Sequence, residues 1–304
     1  MRMPLITLSV GLLAACATVA SPPAEPPPPA ACVIQPDLFA AGPQRERTLA
    51  DMDDAARAAL VLSLPDCLES PEPEVRDGYA YEVLSSTLRG GNVAPDTVRT
   101  LKAELLSRLA SEDAAGFRQP FAALALAEVA RTDRIEPWMS ESERSDLIAA
   151  ADAYLAGLAD YRGFIDGEGW RHGVAHMADL LMQLSLNPEL TRAQGEAVLS
   201  AVTRKVGTAD HAYVFGESER LAAPVLYLAR RDFFTPEEWT AWFAGLWPAD
   251  DPLRAAAYSS EPGLAKLHNL RAFSQAVYVS AMASENPVYE PAGAAALQLL
   301  ASLP

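Results

Sequence analysis

The segment Gly169–Leu186 constrains this chain more than any other. Val174, Ala175, Met177, Ala178, Leu180, Leu181, Met182, Leu184 and Leu186 put small or apolar side chains on nearly every side of a helix. A helix apolar all round is buried. At 100° per residue, His172, His176 and Asp179 fall at about 0°, 40° and −20° on one face, and Gln183 extends that face at about 20°. Two of the chain's 4 histidines therefore sit in a polar stripe with little water to bond. An unpaired buried polar group costs about 1–3 kcal/mol. The stripe is accordingly a ligand site, a catalytic site or a satisfied structural network.

The same 3.6-residue rhythm fills the rest of the chain after Cys32. It predicts helices near Asp51–Leu64, Glu74–Leu88, Asp96–Ala110, Gly116–Ala130, Glu141–Ala159 and Gly169–Leu186. Others follow near Arg192–Val206, Glu217–Arg230, Pro236–Trp247, Pro252–Tyr258, Gly263–Ala283 and Ala292–Leu300. Ser140…Glu143 and Thr191…Gln194 read as capping boxes, and Thr235-Pro236 as a helix start. Pro224 kinks its helix or delays its start. No period-two run is long enough to be a strand. About a dozen helices with short links predict an all-α fold of antiparallel helical hairpins, a HEAT-like α-solenoid or a related α/α arrangement.

Residues 1–15 read as a signal segment: basic Arg2, then an apolar run from Leu5 to Leu13 that is short for a bilayer span. Leu13-Ala14-Ala15-Cys16 resembles the bacterial lipoprotein signal, which implies cleavage before Cys16 and lipidation of that residue. Ala17, in place of Asp, implies the outer membrane, with the protein facing the periplasm. Residues 16–44 then read as lipid anchor and proline-rich tether, and 45–304 as a single helical domain. No second segment looks transmembrane. With Cys16 lipidated, Cys32 and Cys67 remain, and an even pair in an exported chain points to a disulfide closing a loop of about 35 residues. The formal net charge of −16 argues against nucleic acid and anionic lipid as partners. The membrane is then reached through the lipid anchor alone.

Several short motifs occur in one order: Phe117-Arg118-Gln119-Pro120-Phe121, Asp160-Tyr161-Arg162-Gly163-Phe164, Gly169-Trp170…His172…His176…Asp179-Leu180-Leu181, and Gly216-Glu217-Ser218-Glu219-Arg220. In this the chain resembles the bacterial domain of unknown function 2785, from about Arg76-Asp77 to about Tyr278. The resemblance implies an all-helical domain and points to the same polar stripe, but brings no activity with it. The chain departs from the family pattern at Gln119-Pro120, where an Arg-Ser step is typical; this weakens a catalytic reading.

Two chemistries suit the stripe. Imidazoles four apart on a helix grip one metal ion together, with Asp179 as a third ligand and His211 or His268 completing the set. A divalent transition metal is the cofactor this would imply. The general-base Glu of the zinc-protease motif is missing, since Gly173, Val174 and Ala175 separate the histidines. Alternatively, Arg162, Trp170, Glu217, Glu219, Arg220, Lys266, His268 and Arg271 join the stripe to make a mixed-charge pocket for an anionic or small polar ligand, able to orient a carboxylate or phosphate. His268, Arg271 and Gln275 form a second polar stripe that would face the first. Asp166, Glu168, Glu217 and Glu219 are the acid–base candidates there, with His172 as the base. A phosphate loop and a Gly-x-Ser-x-Gly elbow are both absent. The expectation is a cell-envelope lipoprotein that binds a small polar ligand or an envelope protein. The alternative is a hydrolase or acid–base enzyme, metal-dependent or not, centred on His172, His176 and Asp179.

Overall fold

A computed structural model describes residues 32–304, and these are helical almost throughout because the 3.6-residue pattern is. In chain order come α1 (Pro36–Phe39), α2 (Pro43–Asp51), α3 (Asp54–Cys67), a π-helical stretch (Glu74–Tyr81) running straight into α4 (Glu82–Arg89), α5 (Pro95–Leu109), α6 (Arg118–Ile135) and α7 (Glu141–Gly157). A two-residue hairpin, β1 (Phe164–Ile165) and β2 (Gly169–Trp170), precedes α8 (Gly173–Leu186). Then follow α9 (Arg192–Val206), α10 (Glu217–Ala229), α11 (Pro236–Gly245), α12 (Glu261–Ala283) and α13 (Glu290–Ser302). Ser140, Thr191 and Thr235 start α7, α9 and α11 with complete capping boxes, so the free N–H groups of those helix ends are bonded locally. The signal segment, Cys16 and the proline-rich stretch before Ala31 lie outside the described residues. Among the described residues no helix is long and apolar enough to cross a membrane.

The fold is all-α. Helices α4, α6, α8, α10 and α12 pack side by side in one row. In a second row α3 packs on α5, α7 on α9, and α11 on α13. Antiparallel pairs such as α5–α6 and α7–α8 join the rows. Helix α8 thus lies between α6 and α10 with α7 behind it, which is why Val174, Met177, Ala178, Leu180, Leu181 and Leu184 are all buried on a helix with no solvent side. Helix α10 runs through Pro224.

Four expectations change. The folded region begins well before residue 45: a disulfide joins Cys32 to Cys67, and Leu38 on α1 is fully buried. Arg45 on α2 is buried and donates to the carbonyls of Leu38 (2.8 Å) and Gly78 (2.9 Å). The short helices α1 and α2 carry too few apolar residues to show a period. The helix drawn over Glu74–Leu88 is π-helical in its first half. The one drawn from Gly169 starts four residues later, its first turn replaced by the hairpin. That near Pro252–Tyr258 shrinks to a 3₁₀ turn at Pro252–Arg254.

One buried ionic knot ties the two rows together. Asp133, wholly inaccessible at the end of α6, accepts from the N–H groups of Trp138 (2.8 Å) and Met139 (2.6 Å), from Arg144 of α7 (3.2 Å) and from the Asn187 amide after α8 (2.6 Å). Removing one partner of such a pair strands the other charge in a low-dielectric interior. Asp133→Ala should therefore destabilise the domain by about 3–5 kcal/mol, read as a lowered denaturation midpoint in urea. An unchanged midpoint would show that the knot is dispensable.

Candidate functional site

The site is built at the N-terminal end of α8, where the chain makes a sequence of constrained turns. The β1–β2 hairpin pairs Phe164 with Trp170. Beyond it, the Arg171 N–H donates to Gly163 O and the His172 N–H to Arg162 O, each at 3.0 Å. His172 is left in the left-handed region (φ 55°) as the residue that caps α8. A non-glycine residue there is uncommon, and such conformations persist only where surroundings hold them. The indole of Trp170 does part of the holding, stacking on the imidazole at 4.7 Å.

The Asp-x-Arg-Gly motif supports this turn. Asp160 and Arg162 form an ion pair, and the Arg162 guanidinium reaches the carbonyl of Ala115 (3.3 Å). Gly163 has no side chain because the ring of Phe215 occupies the space a Cβ would need. Phe215 is thereby seated against Trp170, ring centroids 5.8 Å apart. Gly169 adopts φ 76°, and a Cβ there would collide with the guanidinium of Arg76. Arg76, fully buried in the π-helical stretch, donates to the carbonyls of Ser70 and Glu168 and to Asp77 (2.7 Å), and lies over the rings of Phe117 and Phe121.

A cleft of about 700 Å³ opens above these groups. His172 and His176 are part of its lining, with Trp170 and Phe215 at an exposed edge. The π-helical stretch contributes Asp77, Gly78 and Tyr81, α4 contributes Glu82, and α10 contributes Glu219 and Arg220. The two imidazoles lie 5.8 Å apart, centroid to centroid. His176 shares Nδ1 with the carbonyl of Pro120 at 3.1 Å; a carbonyl only accepts, so Nδ1 carries the proton and Nε2 is a bare acceptor. Burial, with His172 nearby, pushes the pKa of His176 down to about 3, so the ring is neutral. His172 buries Nε2, 3.5 Å from Glu217 Oε1 and without a hydrogen bond, and its ring lines the cleft.

The carboxylates around the cleft are set differently. Burial raises Asp77 and Asp179 above the ordinary range, against the opposing pull of Arg76 and Arg220 respectively. Burial also works to raise Glu217, but His172 and the N–H groups of Phe215 and of Glu217 itself outweigh it, and the carboxyl sits low. Asp179 is gripped by Arg220 through both oxygens. Tyr81 donates to Glu128, which Arg89 holds in turn.

The structure brings Trp170, His172, His176, Glu219 and Arg220 together on the cleft, with Asp179 and Glu217 directly behind. It does not bring the remaining candidates there. Arg162 is committed to Asp160, Lys266 pairs with Asp251, and His211 stacks on Tyr161. Asp166 and Glu168 lie exposed on the hairpin connection. His268 donates to the Tyr213 carbonyl (2.9 Å) from α12, and Arg271 lies exposed on the same helix. The second stripe does not line the cleft, because α10 packs between α8 and α12. Among the described residues no three His, Cys, Asp or Glu side chains are gathered in a way that could hold a metal ion. Sequence reasoning missed Asp77, Gly78, Tyr81 and Glu82, whose one signal was the Arg76-Asp77 step, and Phe215, which adjoins Gly216-Glu217.

A profile of the family described as Protein of unknown function (DUF2785) matches residues 105–279. The chain belongs to this family. The DUF2785 match takes in the Asp-x-Arg-Gly turn, both cleft histidines and Glu217, while the cleft wall at Asp77–Glu82 lies before it. No curated protein and no solved structure matches the chain.

The neutral state of His176 has a measurable consequence. Unfolded, the residue titrates near 6.5; folded, near 3. Between those values the unfolded chain takes up a proton that the native state refuses, so this residue makes stability fall as pH falls from 6.5 toward 3 and contributes no slope above 6.5. Its share reaches about 1.4 kcal/mol per pH unit. In His176→Gln, the plot of unfolding free energy against pH should be shallower by up to that amount across the window. Identical slopes would mean the native ring is protonated.

Proposed function

We propose that the His172 cleft binds a small polar ligand that is cationic or rich in hydrogen-bond donors, and that the protein is a ligand-binding lipoprotein of the cell envelope. One observation carries the ligand chemistry: the cleft's acceptors are open while its cations are already engaged. His172 and His176 line the space, and so do Glu82 and Glu219, neither of which is in an ion pair. Arg220 is bound to Asp179, and Arg76 to Asp77. An anion would have to displace one of these pairs; an amine, an amino sugar or a polyol would not. The exposed Trp170 and Phe215 supply an apolar edge of the kind that fixes such ligands.

A second reading, acid–base chemistry on the bound ligand, is favoured by the carboxylate of Glu217 behind the inward nitrogen of His172. A base held by a third group is how a catalytic imidazole is oriented. The envelope reading is supported by the lipobox at Leu13–Cys16 and by the Cys32–Cys67 disulfide, a bond that persists in oxidising compartments.

Thermal-shift and calorimetric titration of the full chain tests the ligand class. Glucosamine, alkylamines and neutral sugars form one group of probes, and phosphate and dicarboxylates the other. The first group should bind, and Trp170→Ala should weaken binding by up to about tenfold. Preferential binding of the anions, or none at all, would overturn the reading. Separately, Cys16→Ser should move the protein from the membrane fraction to the soluble fraction of cells expressing it; an unchanged distribution would refute the anchor.

A further inference from the structure

We infer that His172 and His176 together chelate a divalent transition-metal ion of the imidazole-preferring class, zinc, nickel, cobalt or copper, at the floor of the cleft. The inference rests on the cation-selective reading of that cleft and names the ion.

The argument begins with the nitrogens that do not face the cleft. Metal-bound histidines almost always give their second ring N–H to a backbone carbonyl or a carboxylate, which fixes the tautomer and aims the lone pair. His176 has such a backing group, and His172 has a carboxylate beside it with no hydrogen bond between them. His176 Nδ1 donates to the carbonyl of Pro120 at 3.1 Å. His172 Nε2 is turned toward Glu217 Oε1 at 3.5 Å, and no group is bonded to it. His176 is thereby left with an unprotonated Nε2, and both rings line one cleft. Neither ring is a surface group: each is only 7% exposed.

The spacing also fits. With metal–nitrogen distances of about 2.0–2.1 Å, two imidazoles on one ion have ring centres about 5–6 Å apart. The observed separation is 5.8 Å, with the ring planes at 66°. Nitrogen donors select the borderline transition ions over magnesium and calcium, which prefer oxygen. Glu82 and Glu219 on the wall attract a cation without being close enough to ligate it as part of a three-donor cluster. Two protein ligands leave further positions for water or a bound organic ligand. Asp179, one turn beyond His176, is withheld by Arg220, whose side chain is 49% exposed and free to swing away.

The test uses the full chain purified without a histidine tag. Titration with Co²⁺, Zn²⁺ and Ni²⁺ should show one equivalent bound, and Mg²⁺ none. Glu217→Gln should weaken binding by about 10–100-fold, as loss of a backing group does. Arg220→Ala should tighten it by releasing Asp179. The His172→Gln/His176→Gln double variant should bind nothing at this stoichiometry. Because that variant could also unfold, the Cu²⁺-loaded native chain provides an independent readout: its electron paramagnetic resonance spectrum should show coupling to two imidazole nitrogens. No stoichiometric binding, binding retained in the double variant, or a spectrum without two imidazoles would each overturn the inference. Binding of glucosamine or alkylamines with no metal uptake would overturn it while leaving the ligand reading intact. Failure of both would remove both.

Discussion

Helix α8 has no solvent side, and most of what is unusual here follows from that. Packed between α6 and α10, it offers no water to any polar group it carries. Each such group must be bonded from a neighbouring element or pay the desolvation cost of remaining unmet. Ser185 turns its hydroxyl back to the carbonyl of Leu181, Gln183 accepts from Arg134 of α6, and Asp179 is held by Arg220 of α10. His176 uses one nitrogen on Pro120. What this satisfied interior leaves over is a pair of imidazole nitrogens, and these occur where α8 ends and the cleft begins.

The end of α8 is held by several elements at once. The hairpin delivers Trp170 and Arg171, the turn at Arg162 and Gly163 receives the backbone of Arg171 and His172, and the vacancy at Gly163 admits Phe215. The loop that carries Phe215 and Glu217 is itself tied down by Asn269. Its amide donates to the carbonyls of Thr208 and His211 and accepts from the Tyr213 N–H. A left-handed histidine at a helix cap is therefore over-determined by its surroundings, the condition under which backbone strain is retained at functional sites.

Much of this was legible in the sequence, and the rest was hidden for identifiable reasons. Capping boxes at Ser140, Thr191 and Thr235 are local, so three helix starts were readable to the residue. The burial of α8 and the proximity of His172 to His176 followed from composition and spacing. The conformation of His172 did not, because it depends on hydrogen bonds to residues in a turn about ten positions earlier. The second stripe on α12 failed as a site for a related reason. Helical period tells which residues share a face, not which helix that face meets, and α10 intervenes. The π-helical stretch was invisible because it is short and runs straight into α4, so its period cannot be told from 3.6 in so few residues, although such stretches recur at functional sites.

That stretch links the cleft to the start of the fold. It forms the wall from Asp77 to Tyr81, and it is braced from the N-terminal side: Arg45 donates to Gly78 O, and Tyr79 accepts from the Gln35 N–H and packs on Phe39. The Cys32–Cys67 bond fixes this strap to α3. Closing a loop of 35 residues restricts the unfolded chain, and the restraint falls on the segment that bears the wall. The strap has few fully buried apolar residues, Leu38 chief among them, and is held besides by Phe39, Leu49 and Met52 against the core and by Arg45. The π-helical wall is therefore braced by a strap that the Cys32–Cys67 bond ties to the end of α3, just ahead of the wall in sequence.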